Sequence, residues 1–318
     1  MKSILVTDHV FPNLDPERAI LDGIGTLRYA GAVSEAELTD MARDADAVLN
    51  CYRPLSADLL GAMENCKVIA RYGIGVDTVP LEVATSLGIQ VTNVPDYCIE
   101  EVADHTLALI LALTRGIVRG LDQTRAGGWD ITSLRPLYRQ RGRVLGLVGF
   151  GRIAKAVADR AKALGYDVAA FDPQLPKEAF HKAGVRSVDL DLLFEGSDVV
   201  SLHAPLTSET RHLVNAQRIA TMRRGAILVT TARGGLVDYG AVVAALRAGL
   251  LGGAGLDVLE AEPPAPGSDP IGNVPNLIVT PHLGFYSEEA LTELQRKAAQ
   301  QVRAVLEGRK PEYPVNLR

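Results

Sequence analysis

Cysteine is scarce in this chain, and the few present support no sulfur-based scaffold. Cys51, Cys66 and Cys98 are the full complement. An odd number with no Cys-x-x-Cys pair excludes a disulfide framework and a cysteine zinc site, and it fits a reducing cytoplasm. Aromatic residues make up only 5% of the 318 positions, against 30 glycines, so any core must be packed by aliphatic side chains and joined by many tight turns. Long apolar runs are missing too. The longest, Leu107 to Leu113, falls far short of the roughly 20 residues that span a bilayer. The opening Met-Lys-Ser-Ile-Leu-Val-Thr-Asp holds a short apolar run before Asp8, which reads as a buried strand and not a signal peptide. There is no basic excess: 33 Lys and Arg face 38 Asp and Glu, a net charge of −5. That argues against broad nucleic-acid or anionic-membrane partners, while leaving room for a small anion held by a local arginine. No metal site is expected, and the location expected is cytoplasmic.

What is present is alternation. A chain of this length exceeds one ordinary core, so two domains are expected. Short apolar runs at Ser3–Thr7, Ala47–Asn50, Val68–Arg71 and Gln90–Asn93 read as strands, with helical patterns at Glu35–Arg43, Ala57–Ala62 and Leu81–Ser86. This is the pattern of βαβ units and a parallel sheet. A helix from Ile99 to Arg119 is apolar on nearly every face, which predicts burial all round, between domains or at a subunit interface. After the Arg-rich stretch at 126–143, a second set of strands follows at Val144–Val148, Asp167–Phe171, Val199–His203, Ile227–Thr230 and Leu277–Val279. Helices are expected at Ile153–Leu164, Leu190–Phe194, Ala216–Thr221 and Ala241–Ala248, with a last one at Ser287–Glu307. The Pro-rich stretch Glu262–Pro270 reads as a loop.

The strand Val144–Val148 runs into Gly149-Phe150-Gly151-Arg152-Ile153-Ala154, a G-x-G-x-x-G/A turn opening a helix. The first glycine permits the turn, the second lets backbone approach a pyrophosphate, and the small last residue lets the helix pack on the strand. The helix N-terminus then offers free N–H groups to phosphate. A glycine turn between strand and helix is common on its own. Asp172 adds the discriminating feature: it ends the next strand, 23 residues after Gly149, where an acid can bind the adenosine ribose 2′-hydroxyl. An acid there repels a 2′-phosphate, so NAD is expected over NADP.

Three further segments end strands and carry polar groups: Thr231-Ala232-Arg233-Gly234-Gly235, Leu256-Asp257-Val258 through Glu262-Pro263, and Thr280-Pro281-His282-Leu283-Gly284. With Arg71-Tyr72-Gly73-Ile74-Gly75-Val76-Asp77, they make the whole chain resemble the D-isomer-specific 2-hydroxyacid dehydrogenases, which include phosphoglycerate, glycerate and D-lactate dehydrogenases. The aromatic run after His282 resembles the C-terminal-binding-protein branch of that family. The resemblance implies that Arg233, Glu262 and His282 are the catalytic residues. Arginine offers a planar fork to a keto acid's carboxylate and carbonyl, histidine can exchange a proton near neutral pH, and a glutamate beside it would fix its tautomer. It also implies that Gly149, Gly151, Arg152, Ile153, Asp172, Ala204, Thr231, Ala232, Asp257 and Gly284 line the NAD, with Asp257 at the nicotinamide end. Gly73, Ile74 and Gly75 would meet the substrate carboxylate, and Phe285 its side chain. Arg53 and Arg71 are candidates for a phosphate or second carboxylate.

The fold class expected is therefore α/β, with two doubly wound parallel-sheet domains. A flavodoxin-like substrate domain would comprise 1–97 with 288–318, and a Rossmann domain 98–287, the cleft closing on cofactor and substrate. The activity expected is hydride transfer between NAD(H) and C2 of a small 2-keto or D-2-hydroxy acid, by a homodimer. His203, which also ends a strand, is the rival proton donor; His105 on the apolar helix reads as a satisfied buried group. Rival functions are an NADH-sensing corepressor-like binding protein, a formate-type dehydrogenase, in which the histidine pairs with glutamine and not Glu262, and the serine-pathway phosphoglycerate dehydrogenase. No long disordered tail and no regulatory domain after Arg318 are expected.

Overall fold

The computed structural model describes residues 1–267, 272 and 274–317; the Pro-rich stretch thus runs partly outside the described residues. The chain separates into two compact units, Met1–Cys98 with Tyr286–Arg318, and Ile99–Phe285.

The first unit alternates β1 (Lys2–Val6), α1 (Asp15–Leu21), β2 (Gly25–Tyr29), α2 (Glu35–Ala42), β3 (Ala47–Asn50), α3 (Ala57–Gly61), β4 (Val68–Arg71), α4 (Leu81–Ser86) and β5 (Gln90–Thr92). Its strands pair in parallel in the order β2-β1-β3-β4-β5, the flavodoxin-like winding. β3 and β4 are buried along their whole length, as expected of strands covered on both faces. Leu5, Leu38, Val48, Leu59, Ile69 and Val91 make up much of one core. Helix α2 starts on a capping box, the Ser34 hydroxyl accepting from the Glu37 N–H while the Glu37 carboxylate accepts from the Ser34 N–H, which satisfies two otherwise orphaned donors.

The second unit contains α5 (Ile99–Thr114), α6 (Ile117–Arg125), β6 (Val144–Val148), α7 (Arg152–Ala163), β7 (Asp167–Phe171), α8 (Lys177–Lys182), β8 (Arg186–Ser187), α9 (Leu190–Gly196), β9 (Val199–Leu202), α10 (Ala216–Thr221), β10 (Ala226–Thr230), α11 (Tyr239–Arg247), β11 (Leu251–Leu256) and β12 (Leu277–Val279). Its sheet runs β12-β11-β10-β9-β6-β7-β8, all parallel. Winding outward in both directions from β6 is the Rossmann arrangement, whose ligand crevice lies at the carboxyl ends of the strands at the switch point. Two cores flank the sheet, one with Leu147, Phe150, Val157 and Phe180, the other with Leu202, Leu228, Val242 and Leu256. The last helix, α12 (Glu288–Leu306), belongs to the first unit, where it packs on α1, β3 and β4.

Two expectations need correction. The helix expected over Ile99–Arg119 ends at Thr114, and α6 restarts beyond Gly116, whose φ of +63° breaks the helical path. Nor is α5 buried all round: Val102, Ala103, Thr106, Leu107, Leu109 and Ile110 face the core, while Glu100 and Asp104 hold the Arg160 guanidinium on the outer face. β11, which carries no clear strand signal, is built from Leu-Gly-Gly-Ala-Gly-Leu. These glycines give α5 room: a Cβ on Gly253 would stand 2.9 Å from Leu113, and one on Gly255 3.1 Å from Leu109.

Candidate active site

In the second unit the turn after β6 is fixed before any ligand is considered. Gly149 has φ +87°, and a Cβ there would lie 2.8 Å from the His203 carbonyl carbon and 2.9 Å from the Ala204 nitrogen. Only glycine permits both the left-handed backbone and that contact. Asp172, just past β7, turns its carboxylate back to this turn, Oδ2 accepting from the Phe150 N–H at 2.9 Å and Oδ1 from the Gln174 N–H at 2.9 Å. Gly151 caps α7 without a side-chain hydrogen bond, and nothing lies within 4 Å of where its Cβ would stand. The N–H groups of Arg152, Ile153 and Ala154 accordingly meet no acceptor among the described residues. Open donors at a helix N-terminus, a cradle that a side chain would fill and an acid tied to the same turn fit a dinucleotide.

The groups at the ends of β10, β11 and β12 converge. The Glu262 carboxylate reaches His282, with Oε2 2.6 Å from Nδ1, while Oε1 accepts from the Leu259 N–H at 2.6 Å. The Nδ1–H therefore points at the carboxylate and leaves Nε2 as the outward nitrogen. Arg233 donates from Nη1 to the Ala232 carbonyl at 2.8 Å. The next residue, Gly234, abuts the Glu262 segment so closely that a Cβ would stand 2.0 Å from the Leu259 carbonyl carbon.

His282 has φ +52°, a left-handed conformation uncommon for a non-glycine residue. Asp257, a buried residue, holds it there. Its carbonyl accepts from the His282 N–H at 2.8 Å, and its carboxylate from the Leu283 and Gly284 N–H groups at 3.0 and 2.9 Å. The Thr280 hydroxyl at 2.5 Å and His105 Nε2 at 3.3 Å complete its shell. Burial alone would raise the Asp257 pKa, but the hydrogen bonds from His105, Thr280 and Gly284 outweigh it and hold the carboxyl below its ordinary range. Asp257 and Gly284, expected as cofactor contacts, are thus bonded to each other, and the Asp257 carboxylate is shared further with Leu283, Thr280 and His105. Thr231 shares its hydroxyl with Thr106 of α5 at 3.0 Å. Phe285 stands edge-on to His282, ring centroids 6.1 Å apart.

His203 differs. The residue is half-buried, and its Nε2 is 2.9 Å from the Ser201 hydroxyl. Desolvation pushes its pKa down to about 4, so it is neutral at pH 7 and poorly suited to give up a proton.

In the first unit, the loop after β4 presents backbone. Gly73 has φ +140°, and its carbonyl and that of Ile74 accept from the Val94 N–H and the Asn93 amide, at 2.9 and 2.7 Å. The Ile74 and Gly75 N–H groups meet no acceptor among the described residues, leaving a pair of donors suited to a carboxylate. Arg71 is buried, its Nε without a hydrogen-bond partner among the described residues, and its guanidinium lies directly over Gly73, where a Cβ would be 1.3 Å from Nη1. It forms no ion pair among the described residues and lies 6.0 Å from the Tyr52 ring centroid. Arg53 has its guanidinium engaged within the fold, donating to the carbonyls of Gly31 and Val33 at 3.2 and 2.8 Å with the Glu35 carboxylate at 3.9 Å, so it ties its own loop to the one that precedes α2. Sequence reading also missed Asp8, which accepts from the N–H groups of Cys51, Tyr52 and Arg53; its only signal was an acid ending a strand.

The described residues contain no cluster of three or more His, Cys, Asp or Glu able to hold a metal, and no helix long and apolar enough to cross a membrane. Fold and glycine turn together define a dinucleotide-binding α/β protein. Residues 107–284 match the D-isomer specific 2-hydroxyacid dehydrogenase, NAD binding domain. The chain is 38% identical over 319 aligned positions to a D-3-phosphoglycerate dehydrogenase of Methanocaldococcus jannaschii, covering 100% of this chain but 60% of that relative. It is 37% identical over 287 positions to a glycerate dehydrogenase of Methylorubrum extorquens, covering 88% of this chain and 89% of the relative. The crystal structure of a D-lactate dehydrogenase from Aquifex aeolicus, complexed with NAD and lactic acid, superposes with a TM-score of 0.87 at 29% identity, covering 96% of each chain. The chain belongs to the D-isomer specific 2-hydroxyacid dehydrogenase family, and its second unit is an NAD-binding domain.

Proposed function

We propose that the protein transfers a hydride between NAD(H) and C2 of a small 2-keto or D-2-hydroxy acid. The observation that carries this reading is the 2.6 Å pairing of Glu262 with His282 Nδ1 at the strand ends of a dinucleotide-binding sheet. When bound, the reduced nicotinamide supplies the hydride. Arg233 orients the keto acid through its planar fork. As the C2 carbonyl becomes an alcohol, His282 gives the Nε2 proton to its oxygen, and Glu262 keeps the resulting imidazole in the tautomer that can take a proton back. The Ile74 and Gly75 N–H groups receive the substrate carboxylate. An NADH-oxidation screen over glyoxylate, hydroxypyruvate, phosphohydroxypyruvate, pyruvate and larger keto acids tests the reading; turnover of none would sink it.

Arg71 favours a second, finer reading. A buried guanidinium without an acidic partner among the described residues suits a substrate with a second anionic group, so phosphohydroxypyruvate should then outrun hydroxypyruvate in the same screen. The exposed apolar side chains gathered in 117–138, with Trp129 92% and Ile131 77% accessible, favour a homodimer, because large apolar side chains left in water gain from being covered by a partner. Sedimentation velocity checks it, and Trp129→Glu with Ile131→Glu should yield monomer. The three free cysteines are in keeping with a cytoplasmic location.

A further inference from the structure

The first unit buries a carboxylate that the proposed chemistry does not use. Glu17 of α1 is fully buried and forms no ion pair among the described residues. The Tyr72 hydroxyl donates to Oε1 at 2.7 Å, and the Gln295 amide of α12 donates to Oε2 at 2.9 Å and Oε1 at 3.2 Å. The same amide also reaches the Asn13 carbonyl at 2.8 Å. Burying such a group costs stability even when it is hydrogen-bonded, and an apolar residue of similar size would pack as well. Core packing alone therefore does not account for it. What polar networks provide is geometry: a hydrogen-bonded position is defined where an oily contact is not.

The position defined here is that of Tyr72. Its ring is 1% exposed and packs edge-on against Phe11 at 4.9 Å, its N–H donates to the Asn50 carbonyl at 2.7 Å, and its hydroxyl ends on Glu17. Tyr72 is therefore fixed at both ends, and it immediately precedes Gly73, whose φ of +140° starts the turn that aims the Ile74 and Gly75 N–H groups. A small rotation at Tyr72 would swing both donors.

We propose that Glu17, acting through the Tyr72 hydroxyl and seconded by Gln295, is a positioning residue that sets the 73–75 loop for the substrate carboxylate. The inference rests on the reading that this loop receives that carboxylate. It predicts a split in the kinetics. Tyr72→Phe, which removes one oxygen from a packed ring, should raise the KM for the keto acid about tenfold, leaving kcat and the Kd for NADH within about twofold. Glu17→Leu should do the same, whereas Glu17→Gln, which still offers a carbonyl to Tyr72, should restore KM to within about threefold of wild type. A merely structural role would lower the melting temperature of Tyr72→Phe without moving KM. That result overturns the proposal, as does a fall in kcat or in NADH affinity equal to the rise in KM. Gly73→Ala separates the two layers, since its Cβ collides with Arg71 and its φ excludes an L-residue. If Gly73→Ala raises KM while Tyr72→Phe does not, the positioning role alone is wrong. If neither raises it, the carboxylate-loop reading falls and the proposal with it.

Discussion

Placing a methyl group on Gly234 should damage catalysis more than folding, and the size of the effect follows from the contact it makes. The added Cβ would stand 2.0 Å from the Leu259 carbonyl carbon, 2.2 Å from its oxygen and 2.4 Å from the Glu260 nitrogen, all more than an ångström too close. Backbone atoms cannot rotate away as a side chain can, so the 259–262 segment must move. That segment is tied to the site, because the Leu259 N–H donates to Glu262 Oε1 and Glu262 Oε2 holds His282. Overpacking of this kind costs about 1–3 kcal/mol of stability, and an ångström of misplacement at a catalytic pair costs about 10²-fold in rate. Gly234→Ala should therefore lower kcat about a hundredfold, with NADH binding, read by fluorescence quenching, within about threefold of wild type. Gly196→Ala, where the Cβ meets nothing within 4 Å, is the control and should be silent. A folded Gly234→Ala protein with near-normal kcat would falsify the claim that this close approach sets the Glu262–His282 geometry.

His282→Ala should lower kcat by about 10²–10⁴ while NADH still binds; if activity instead survives and His203→Ala abolishes it, the two histidines have been assigned the wrong way round. Asp172 should give at least an about tenfold preference for NADH over NADPH, equivalent to about 1.4 kcal/mol, and Asp172→Ser should erode it; equal use of both by the wild type refutes this. Phe285→Ala should weaken kcat/KM for keto acids with apolar side chains more than for glyoxylate, by a margin of about 1–3 kcal/mol, and an equal loss for both would mean that Phe285 only supports His282. Burial raises the Glu17 pKa above its ordinary 4.5, so the folded state holds that proton more tightly than the unfolded state. The resulting stability is complete below pH 4.5 and is lost as pH rises through the raised value. Denaturant melts from pH 4 upward should show wild type losing stability relative to Glu17→Gln, and parallel curves would contradict the burial argument.

The sequence was most legible where a side chain's chemistry and its strand agree. β3, β4, β6 and β7 are short aliphatic runs whose bounds follow from the apolar pattern, because a strand buried on both faces needs little else. β2 and β11 escaped for opposite reasons. Gly25-Thr26-Leu27-Arg28-Tyr29 is an edge strand with partial exposure and a weak apolar signal. β11 carries glycines because α5 lies against it, a demand set by a partner remote in sequence. The overlong helix has the same origin: Arg115-Gly116 fits a helical pattern by composition, and only the left-handed φ of Gly116 reveals the break.

The candidate site shows the same division between residue type and residue geometry. Arg53 and Arg71 are equivalent in a sequence, two arginines near the ends of adjacent strands. The difference between them lies in what the neighbouring loops offer. Arg53 finds two carbonyls and a carboxylate, while Arg71 finds an aromatic face and a glycine and keeps a buried, unpartnered Nε. A guanidinium whose charge is already satisfied gains little from an anion, whereas one desolvated without a counter-charge gains much, because its desolvation has already been met in the folded protein. Arg71→Leu should therefore be neutral or stabilising in a thermal melt yet raise KM for a substrate with two anionic groups about tenfold or more. Arg53→Leu, by unpinning the loop that carries Gly31 and Val33, should lower the melting temperature with a much smaller effect on KM. The reverse pattern, a destabilised Arg71→Leu with unchanged KM, would show that the buried guanidinium serves the fold and that the second anionic group was read into it wrongly.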